Sequence, residues 1–338
     1  MSVHPMAEPQ PGGAPLWRPS AERVRASHLE AWRQQLQARH GFAGDDYFSL
    51  HRWSVEHLEA FWAEAWHDAA IQAGGPQAGG QAVPPAVEVA RNPRLVLTDP
   101  RLPPDRTPPH EVWFPGVRFN FAQHLLRFRD DRPALIAEGE ASPRRTLTYR
   151  ELYRQVACCA EGLQSLGVRT GDRVAALMPN TLETVVAMLA TTSLGALWSS
   201  TSPDFGFQGV LDRFGQIDPK ILLCADGYQY NGKAHEVLDK AAALMERLPS
   251  IRHVVVLPFL GRGGRKLPEA LGWSELITMG AQRFTGREPR GEFPLLPFDH
   301  PVYILYSSGT TGVPKCIVHG AGGTLLKHHV EQKFHTDL

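Results

Sequence analysis

"YSSGTTGVPKCIVHG", residues 306–320, decides the fold because it joins an apolar run to a loop of small and hydroxylated residues. The run "VYILYSS" (302–308), which leads into it, has the composition of a buried strand. A glycine-rich loop directly after such a strand emerges at the carboxyl end of a parallel sheet, where open α/β sheets bind ligands. We therefore predict a ligand-binding edge at this loop.

Upstream of the loop, short apolar runs alternate with segments of helical periodicity. The predicted strands are "RVAALM" (173–178), "ALWSS" (196–200), "KILLCA" (220–225) and "HVVVLP" (253–258). Strands that alternate with helices form crossover units and a mostly parallel sheet. The predicted fold class is therefore α/β, with doubly wound, mostly parallel sheets and helices on both faces.

Several polar residues stand where helices should begin. The predicted N-cap residues are Ser20, Ser54, Asn120, Thr148 and Asn180. Thr148 also forms a capping-box pattern with Glu151, and Gly41 is predicted to end the helix that starts at Ser20. The segment "AHEVLDKAAALMERL" (234–248) is predicted to be helical throughout.

Composition excludes several classes of function. The 338 residues carry 35 basic and 35 acidic side chains, and this balance argues against a nucleic-acid partner. The four cysteines show no metal-binding spacing, so no metal site is predicted from them. The sequence contains no signal-peptide core and no apolar run long enough for a membrane span. We therefore predict a cytoplasmic protein with reduced thiols and without a membrane partner.

The loop itself has the chemistry of a polyphosphate site. Its candidate binding residues are Ser307, Ser308, Gly309, Thr310, Thr311, Gly312 and Lys315. The glycines let the backbone turn tightly and present N–H groups, the hydroxyls donate hydrogen bonds, and the lysine adds a point charge. Many donors around one cation suit a ligand with many acceptor oxygens and a high negative charge.

Two better-known phosphate motifs do not match, and a simpler interpretation stays open. A Walker A loop needs Ser or Thr after its lysine, but Cys316 follows Lys315. A dinucleotide fingerprint needs a third glycine where Leu325 stands. The alternative to a binding site is a surface turn rich in small residues.

The string "YSSGTTGVPK" resembles the phosphate-binding loop of the adenylate-forming enzymes, the acyl-CoA synthetase and luciferase superfamily. Three further stretches are similar to the acetoacetate–CoA ligase branch of that superfamily: "WFPGVRFNFAQHLL" (113–126), "GALWSSTSPDFGFQGVLDRFGQIDPKIL" (195–222) and "CIVHGAGGTLLKHH" (316–329). The likeness runs from about Leu16 to the last residue. Cys316 also fits this branch, since most other members of the superfamily have glycine there.

The resemblance implies a two-step reaction with acetoacetate, ATP with Mg²⁺, and CoA as small-molecule partners. The acid carboxylate attacks the α-phosphate of ATP and releases pyrophosphate, and the CoA thiol then displaces AMP. In this scheme Ser307 to Gly312 hold the phosphates, and Lys315 contributes to catalysis by stabilising their charge.

Three further residues are weaker candidates near the acyl group and CoA. His319 could border the acyl pocket, although a histidine packed in the sheet explains it equally well. Ser202 could border the CoA channel, and the alternative is the cap of a strand-to-helix turn. Lys233 could contact CoA phosphates, but a solvated lysine is the commoner case.

The resemblance also implies a division of the chain and a missing part. We expect disorder in 1–15, a helical N-terminal region of acyl-CoA synthetase type in 16–130, and an incomplete AMP-binding domain in 131–338. Members of the superfamily are roughly twice as long, and their adenine, ribose and magnesium sites lie downstream. We therefore expect an N-terminal fragment that is inactive alone, completed by further chain or by a complementing polypeptide. Two alternatives are a ligase for another short-chain acid and a non-catalytic nucleotide-binding half-protein.

Overall fold

The computed structural model of the protein describes most of the chain, with gaps. The described residues are 17–73, 97–98, 112–140, 143–261, 267, 269–307 and 312–338. They divide into two compact units, one made of residues up to 61 together with 328–338, and one made of residues 62–327. The segment predicted to be disordered, 1–15, lies outside the described residues.

The first helices of the described residues are α1 (Ala21–Ala26), α2 (His28–His40), α3 (Tyr47–Glu56) and α4 (Leu58–Ala69). Ser20 caps α1 and Gly41 ends α2 as predicted, but Ser27 divides the expected single helix because its hydroxyl accepts the N–H of Glu30. The predicted start at Ser54 is wrong. Ser54 lies inside α3, because the carboxylate of Asp46 caps that helix earlier in the sequence.

Short antiparallel strand pairs surround the main sheet. They are β1 (Leu97–Thr98) with β2 (Val112–Trp113), β3 (Arg118–Phe119) with β13 (Leu296–Pro297), β4 (Pro133–Ala137) with β5 (Arg145–Thr148), and β9 (Gly227–Tyr230) with β10 (Lys233–Glu236). The prediction that residues 234–248 are helical throughout is wrong at its start, because residues 234–236 belong to β10. Asn231 and Gly232 both have positive φ, which makes a tight hairpin turn and pairs the following residues with β9.

The main sheet has seven strands in the order β12-β11-β8-β6-β7-β14-β15. They are β6 (Arg173–Leu177), β7 (Leu197–Thr201), β8 (Ile221–Ala225), β11 (His253–Leu257), β12 (Leu271–Gly272), β14 (Pro301–Ser307) and β15 (Lys315–Gly320). Every neighbouring pair is parallel except β14 and β15, which form an antiparallel hairpin. The predicted mostly parallel sheet is confirmed.

Within the described ranges, the helices after α4 are α5 (Phe121–Leu125), α6 (Tyr149–Ser165), α7 (Leu182–Ser193), α8 (Phe207–Phe214), α9 (Leu238–Arg247), α10 (Trp273–Ala281) and α11 (Ala321–His329). A 3-10 turn, Gln282–Phe284, follows α10, and a π-helical segment, Val330–His335, follows α11. The capping box of Thr148 and Glu151 is present at α6, and Asn120 caps α5. Asn180 is one residue too early, because the hydroxyl of Thr181 accepts the N–H of Thr184.

Successive residues of the sheet's strands are buried in two separate apolar layers, one on each face. Val174 and Trp198 pack in the cluster that contains residues of α6, α7 and α10. Their chain neighbours Ala175 and Leu197, with Ile304, pack in the cluster that contains residues of α8 and α9. Because successive side chains of a strand point to opposite faces, this division places helices on both faces and confirms the doubly wound fold. Within the described residues, no helix is both long and apolar enough to cross a membrane.

Candidate functional site

The predicted phosphate loop closes the β14–β15 hairpin at the carboxyl end of β14. Ser307 is the last residue of β14 and lies opposite Lys315, the first residue of β15. Ser308, Gly309, Thr310 and Thr311 lie outside the described residues, so their predicted role is not examined by the structure. The residues on either side therefore define the position of the loop, at the sheet edge expected from the sequence.

Two described residues show how the loop re-enters the sheet. Gly312 has a φ of +98°, which side chains rarely adopt, and an added Cβ there would meet no heavy atom within 4 Å. Glycine is thus required by backbone conformation at this position and not by crowding. The side chain of Lys315 is exposed, and Nζ has no ion pair within the described part of the chain. Its charge is available to an anion that enters from solvent.

His319 shares a face of β15 with Lys315, because the two are four residues apart on one strand. It lies opposite Tyr303 in the hairpin register and is half-buried. The hydroxyl of Tyr303 donates to the sulfur of Met188 at 3.7 Å, and burial raises the pKa of Tyr303. The structure therefore brings Ser307, Lys315 and His319 to one face of the hairpin, while any contact with an acyl group stays a prediction.

Ser202 and Lys233 lie in different places along the same sheet edge. Ser202 directly follows β7, the neighbour of β14, and is exposed. The structure does not support Ser202 as a helix cap, because α8 begins at Phe207 and Gly206 occupies its N-cap position. Lys233 begins β10 beyond the carboxyl end of β8, so β6 and β7 separate it from the loop in the strand order.

A cavity of about 390 Å³ opens at another part of this edge, beyond the ends of β6 and β11. Apolar residues of its lining are Leu257, Pro258, Phe259 and Trp273, and polar ones include Glu138, Arg145, Asn180 and Glu183. The guanidinium of Arg145 makes two hydrogen bonds to the Glu183 carboxylate, at 2.7 and 2.8 Å. None of the described predicted site residues lines this cavity, so it is distinct from the loop region.

Sequence reasoning missed the polar contacts beneath the loop. Ser199 is fully buried on β7, and its hydroxyl donates to the backbone oxygen of Ile304 at 2.8 Å. It also bonds to the Tyr306 hydroxyl at 2.9 Å. Burial, opposed in part by this bond, raises the pKa of Tyr306 to about 12, so the phenol stays neutral at physiological pH. The sequence gives only a weak signal for this contact, because Ser199 is one of three hydroxyl residues in β7.

The four cysteines are all free thiols, with Cys316 half-buried beside the loop. Within the described ranges, no group of three His, Cys, Asp or Glu side chains could hold a metal ion. The described residues that flank the loop are Ser307 at the end of β14 and the exposed Lys315 at the start of β15. A mostly parallel sheet with apolar layers on both faces, and with a loop at the carboxyl end of one strand, defines a doubly wound α/β protein.

The chain belongs to the AMP-binding enzyme family, whose model matches residues 121–336. An acetoacetyl-coenzyme A synthetase of Rhizobium meliloti (strain 1021) is 42% identical over 96% of this chain and 46% of its own length. The structure of an acetoacetyl-CoA synthetase from Streptomyces lividans matches with a TM-score of 0.82 and 38% identity, over 96% of this chain and 46% of that one. A malonamoyl-CoA synthetase of Penicillium aethiopicum is 35% identical over 98% of this chain and 44% of its own length.

The chain therefore spans less than half the length of the relatives it matches. The resemblance to acetoacetyl-CoA synthetases inferred from the sequence is confirmed for their N-terminal part.

Proposed function

We propose that this chain provides the N-terminal, phosphate-binding part of an acetoacetate–CoA ligase. The reaction joins acetoacetate to CoA and converts ATP to AMP and pyrophosphate through an acetoacetyl-adenylate. The single observation that carries the proposal is the pairing of Ser307 with Lys315 at the mouth of a hydroxyl-rich loop, at the carboxyl edge of the sheet. The likeness to two acetoacetyl-CoA synthetases supports the choice of substrate.

The proposed role of the loop follows from the chemistry of acid activation. A carboxylate is a poor acyl donor, and transfer to the α-phosphate supplies it with a leaving group. The Lys315 ammonium would stabilise negative charge on the β- and γ-phosphates, while the Ser307 hydroxyl and the residues 308–312 would donate hydrogen bonds to phosphate oxygens. Mg²⁺ would enter with ATP and add charge neutralisation. We place its protein ligand in the part of the relatives that this chain does not span.

Three further roles are proposed for residues outside the loop. His319 would border the acyl group, because it shares a face with Lys315 and lies opposite Tyr303. Ser202 would border the path of CoA, since it leaves the strand next to β14 at the same sheet edge. Lys233 is exposed beyond β8 and would contact a CoA phosphate as a point charge.

We further propose that the active unit includes additional chain, either covalently continuous or as a complementing polypeptide. The support is the share of the relatives that is matched, together with the hairpin, where Leu305, Ile317 and Val318 are 43%, 45% and 57% exposed. We also propose a helical N-terminal region in 16–130, an incomplete AMP-binding domain in 131–338 and a cytoplasmic location. The proposal includes no nucleic-acid partner and no membrane partner. The balanced charge supports the exclusion of nucleic acid.

A second candidate is a ligase for another short-chain acid. The likeness to a malonamoyl-CoA synthetase favours it, because that protein matches the same region at 35% identity. Acetoacetate and malonamate differ at one end only, where the methyl group of the ketone takes the place of the amino group of the amide. The two candidates therefore share the loop chemistry and differ in the acyl pocket.

The decisive experiment compares Lys315→Ala with Lys233→Ala. Equilibrium dialysis with labelled MgATP and, separately, labelled CoA measures both affinities for each variant and the parent. We expect Lys315→Ala to weaken MgATP binding by about 10- to 100-fold and to spare CoA, since a charged hydrogen-bond donor is lost. Lys233→Ala should weaken CoA binding and spare MgATP. Unchanged MgATP affinity in Lys315→Ala would contradict the proposed role of the loop.

Catalysis is tested on the same samples by acetoacetate-dependent pyrophosphate release. We expect none from the purified 338-residue chain, because the proposed active unit needs further residues. Release by this chain alone would overturn that part of the proposal. Saturable MgATP binding at physiological concentration, without any turnover after the remaining half of a relative is supplied, would favour the nucleotide-binding half-protein.

A further inference from the structure

The carboxyl edge of the main sheet carries a second concave region, the cavity of about 390 Å³ described above. The connection that leaves β6 enters α7 on one face of the sheet, whereas the connection that leaves its neighbour β8 leads to α9 on the other face. Parallel strands whose connections leave to opposite faces open a crevice at their carboxyl ends, and α/β sheets bind ligands in such crevices. The cavity lies at this crevice, between residues that follow β6 and residues that follow β11.

The floor of the cavity is apolar and is part of the packed interior. Leu257 ends β11 and Trp273 begins α10, and these two residues are 7% and 8% exposed. Both belong to the apolar layer that contains residues of α6 and α7, and Phe259 packs against the same layer. A floor of packed side chains keeps its shape without a ligand. Preformed cavities with apolar floors are typical of small-molecule sites, and this one has room for a molecule of about one or two rings.

The rim of the cavity carries three charged side chains, and one of them is left without a counter-charge. The guanidinium of Arg145 is paired with the Glu183 carboxylate through two hydrogen bonds, so these two charges compensate each other. The Glu138 carboxylate, just after β4, is exposed and makes no ion pair or hydrogen bond within the described residues. The described lining therefore carries an excess of negative charge.

Two helices begin at the cavity, but acidic residues of their own first turns already compensate their N-termini. α7 starts at Leu182 and carries Glu183 in its first turn. α10 starts at Trp273, and the carboxylate of Glu275 in its first turn accepts the N–H of Gly272. A carboxylate in the first turn offsets the partial positive charge of a helix N-terminus. An anionic ligand would thus meet an excess of negative charge in the cavity, whereas a cation would be attracted.

Two uncharged polar side chains at the rim are available to orient a ligand. Asn180 follows β6 and Ser274 is the second residue of α10, and both are exposed. Neither side chain makes a hydrogen bond within the part of the chain that the structure describes. The amide offers donors and an acceptor, and the hydroxyl offers one donor and acceptor lone pairs. A ligand head group can therefore bond to them without breaking an existing contact.

We propose that this cavity binds a small organic cation with an apolar body, such as an arylalkylamine. The apolar body lies on Leu257, Phe259 and Trp273, because aromatic side chains stabilise both apolar groups and cations. The ammonium group lies at the rim, where the Glu138 carboxylate is its counter-charge. This site is separate from the phosphate loop and takes ligands of opposite charge, so the proposal does not rest on the proposed function.

The charge preference is tested with three probes of similar shape: phenethylamine, which is a cation near neutral pH, phenethyl alcohol, which is uncharged, and phenylacetate, which is an anion. Ligand-observed NMR titrations with the full chain give a Kd for each probe. We expect the amine to bind about 3- to 10-fold more tightly than the alcohol, and phenylacetate to bind most weakly. Phenylacetate binding as tight as that of the amine overturns the proposal, and so does the lack of saturable binding of the amine.

The role of Glu138 is tested by Glu138→Gln, which removes the counter-charge and keeps the size of the side chain. We expect the affinity for phenethylamine to fall about 3- to 10-fold and the affinity for phenethyl alcohol to stay unchanged. Glu246→Gln is the matched control, because Glu246 is an exposed carboxylate on α9, which packs on the other face of the sheet. An equal loss of amine affinity in the two variants would indicate unspecific attraction to carboxylates and overturns the proposal.

The location of the site is tested by Ser274→Trp, which places a large ring at the rim of the cavity. We expect it to weaken the binding of the amine and of the alcohol by about 10-fold or more, because the ring takes the space of the ligand. Thr278→Trp is the matched control, since Thr278 is exposed one turn later on α10 and does not line the cavity. Unchanged amine affinity in Ser274→Trp overturns the proposal. If Ser274→Trp has a lower thermal midpoint than Thr278→Trp, the comparison of Glu138→Gln with Glu246→Gln decides.

Discussion

β8 and β15 belong to one sheet but differ in how the chain surrounds them. All five residues of β8 are buried, and they contribute to the apolar layers on both sides of the sheet. On β15, Ile317 and Val318 point to opposite faces and are both about half-exposed. The centre of the sheet is therefore fully covered by described residues, whereas β15, the outer strand of the hairpin, is about half-exposed at these two positions, although Val302 and Ile304 of β14 are buried.

The residues that stabilise the fold are therefore largely different from those that form the candidate site. The interior strands hold their geometry through packing within this chain, and a change there should unfold it. The hairpin is joined to β7 by a few polar contacts, and part of its apolar surface is exposed. Substitutions in the two regions should therefore differ in both size and kind.

The largest effect is expected from truncating the interior. Leu222 on β8 is completely buried, and Leu222→Ala leaves a cavity between the sheet and its helices. We expect a loss of about 2–5 kcal/mol in the free energy of unfolding, measured by urea denaturation. The matched control is Leu305→Ala on β14, which is 43% exposed and should cost less than about 1 kcal/mol. Equal losses would show that the hairpin is packed as tightly as the centre.

The interior region is also the part that the sequence predicts best. β6, β8 and β11 are continuous apolar runs, and burial on both faces is what selects such runs, so their positions follow from composition. The loop is predicted at the correct edge for the same reason. Helix starts are less certain, because Asn180 and Thr181 are both competent caps and only the local backbone decides between them.

The polar contacts beneath the loop are not predictable in the same way. The bond between Ser199 and Tyr306 joins residues 107 apart in sequence, and it depends on the register of two parallel strands. A hydroxyl in a strand gives no indication of its partner until that register is known. The cavity lined by Trp273 and Glu183 was missed for the same reason, since its walls come from separate segments.

Adding a methyl group where two helix backbones approach closely should lower the free energy of unfolding by less than the loss of a core leucine. A Cβ on Gly280 of α10 would lie 1.8 Å from the backbone oxygen of Cys158 on α6, so the helices would have to separate. We expect Gly280→Ala to cost about 1–3 kcal/mol in urea denaturation. Gly312→Ala meets open space and carries only the strain of a positive φ, about 1 kcal/mol. A larger loss at Gly312 would mean that the loop is part of the stabilising core.

The smallest effect on stability is expected for the ion pair between Arg145 and Glu183, which lies at the rim of the cavity near the end of β6. Burial acts to raise the pKa of Glu183, but its hydrogen bonds, chiefly from Arg145, outweigh burial and hold the pKa below its ordinary value of 4.5. A carboxylate with a lowered folded-state pKa contributes stability at pH values above about 4.5, and this contribution is lost as pH falls through the folded-state value. The stability contributed by the pair should therefore be constant near neutrality and disappear in acid.

Glu183→Gln tests this contribution through urea midpoints measured from pH 7 down to pH 3. At pH 7 we expect a loss of about 1 kcal/mol, modest because the Arg145 side chain is 46% exposed and screened by solvent. The gap between parent and variant should narrow below pH 4.5, because the parent then loses the same charge. Asp131→Asn, which breaks the more exposed pair with Arg150, is the control and should change the pH 7 midpoint less. A gap that persists unchanged to pH 3 would show that Glu183 contributes through packing, as the interior strands do, and not through its charge.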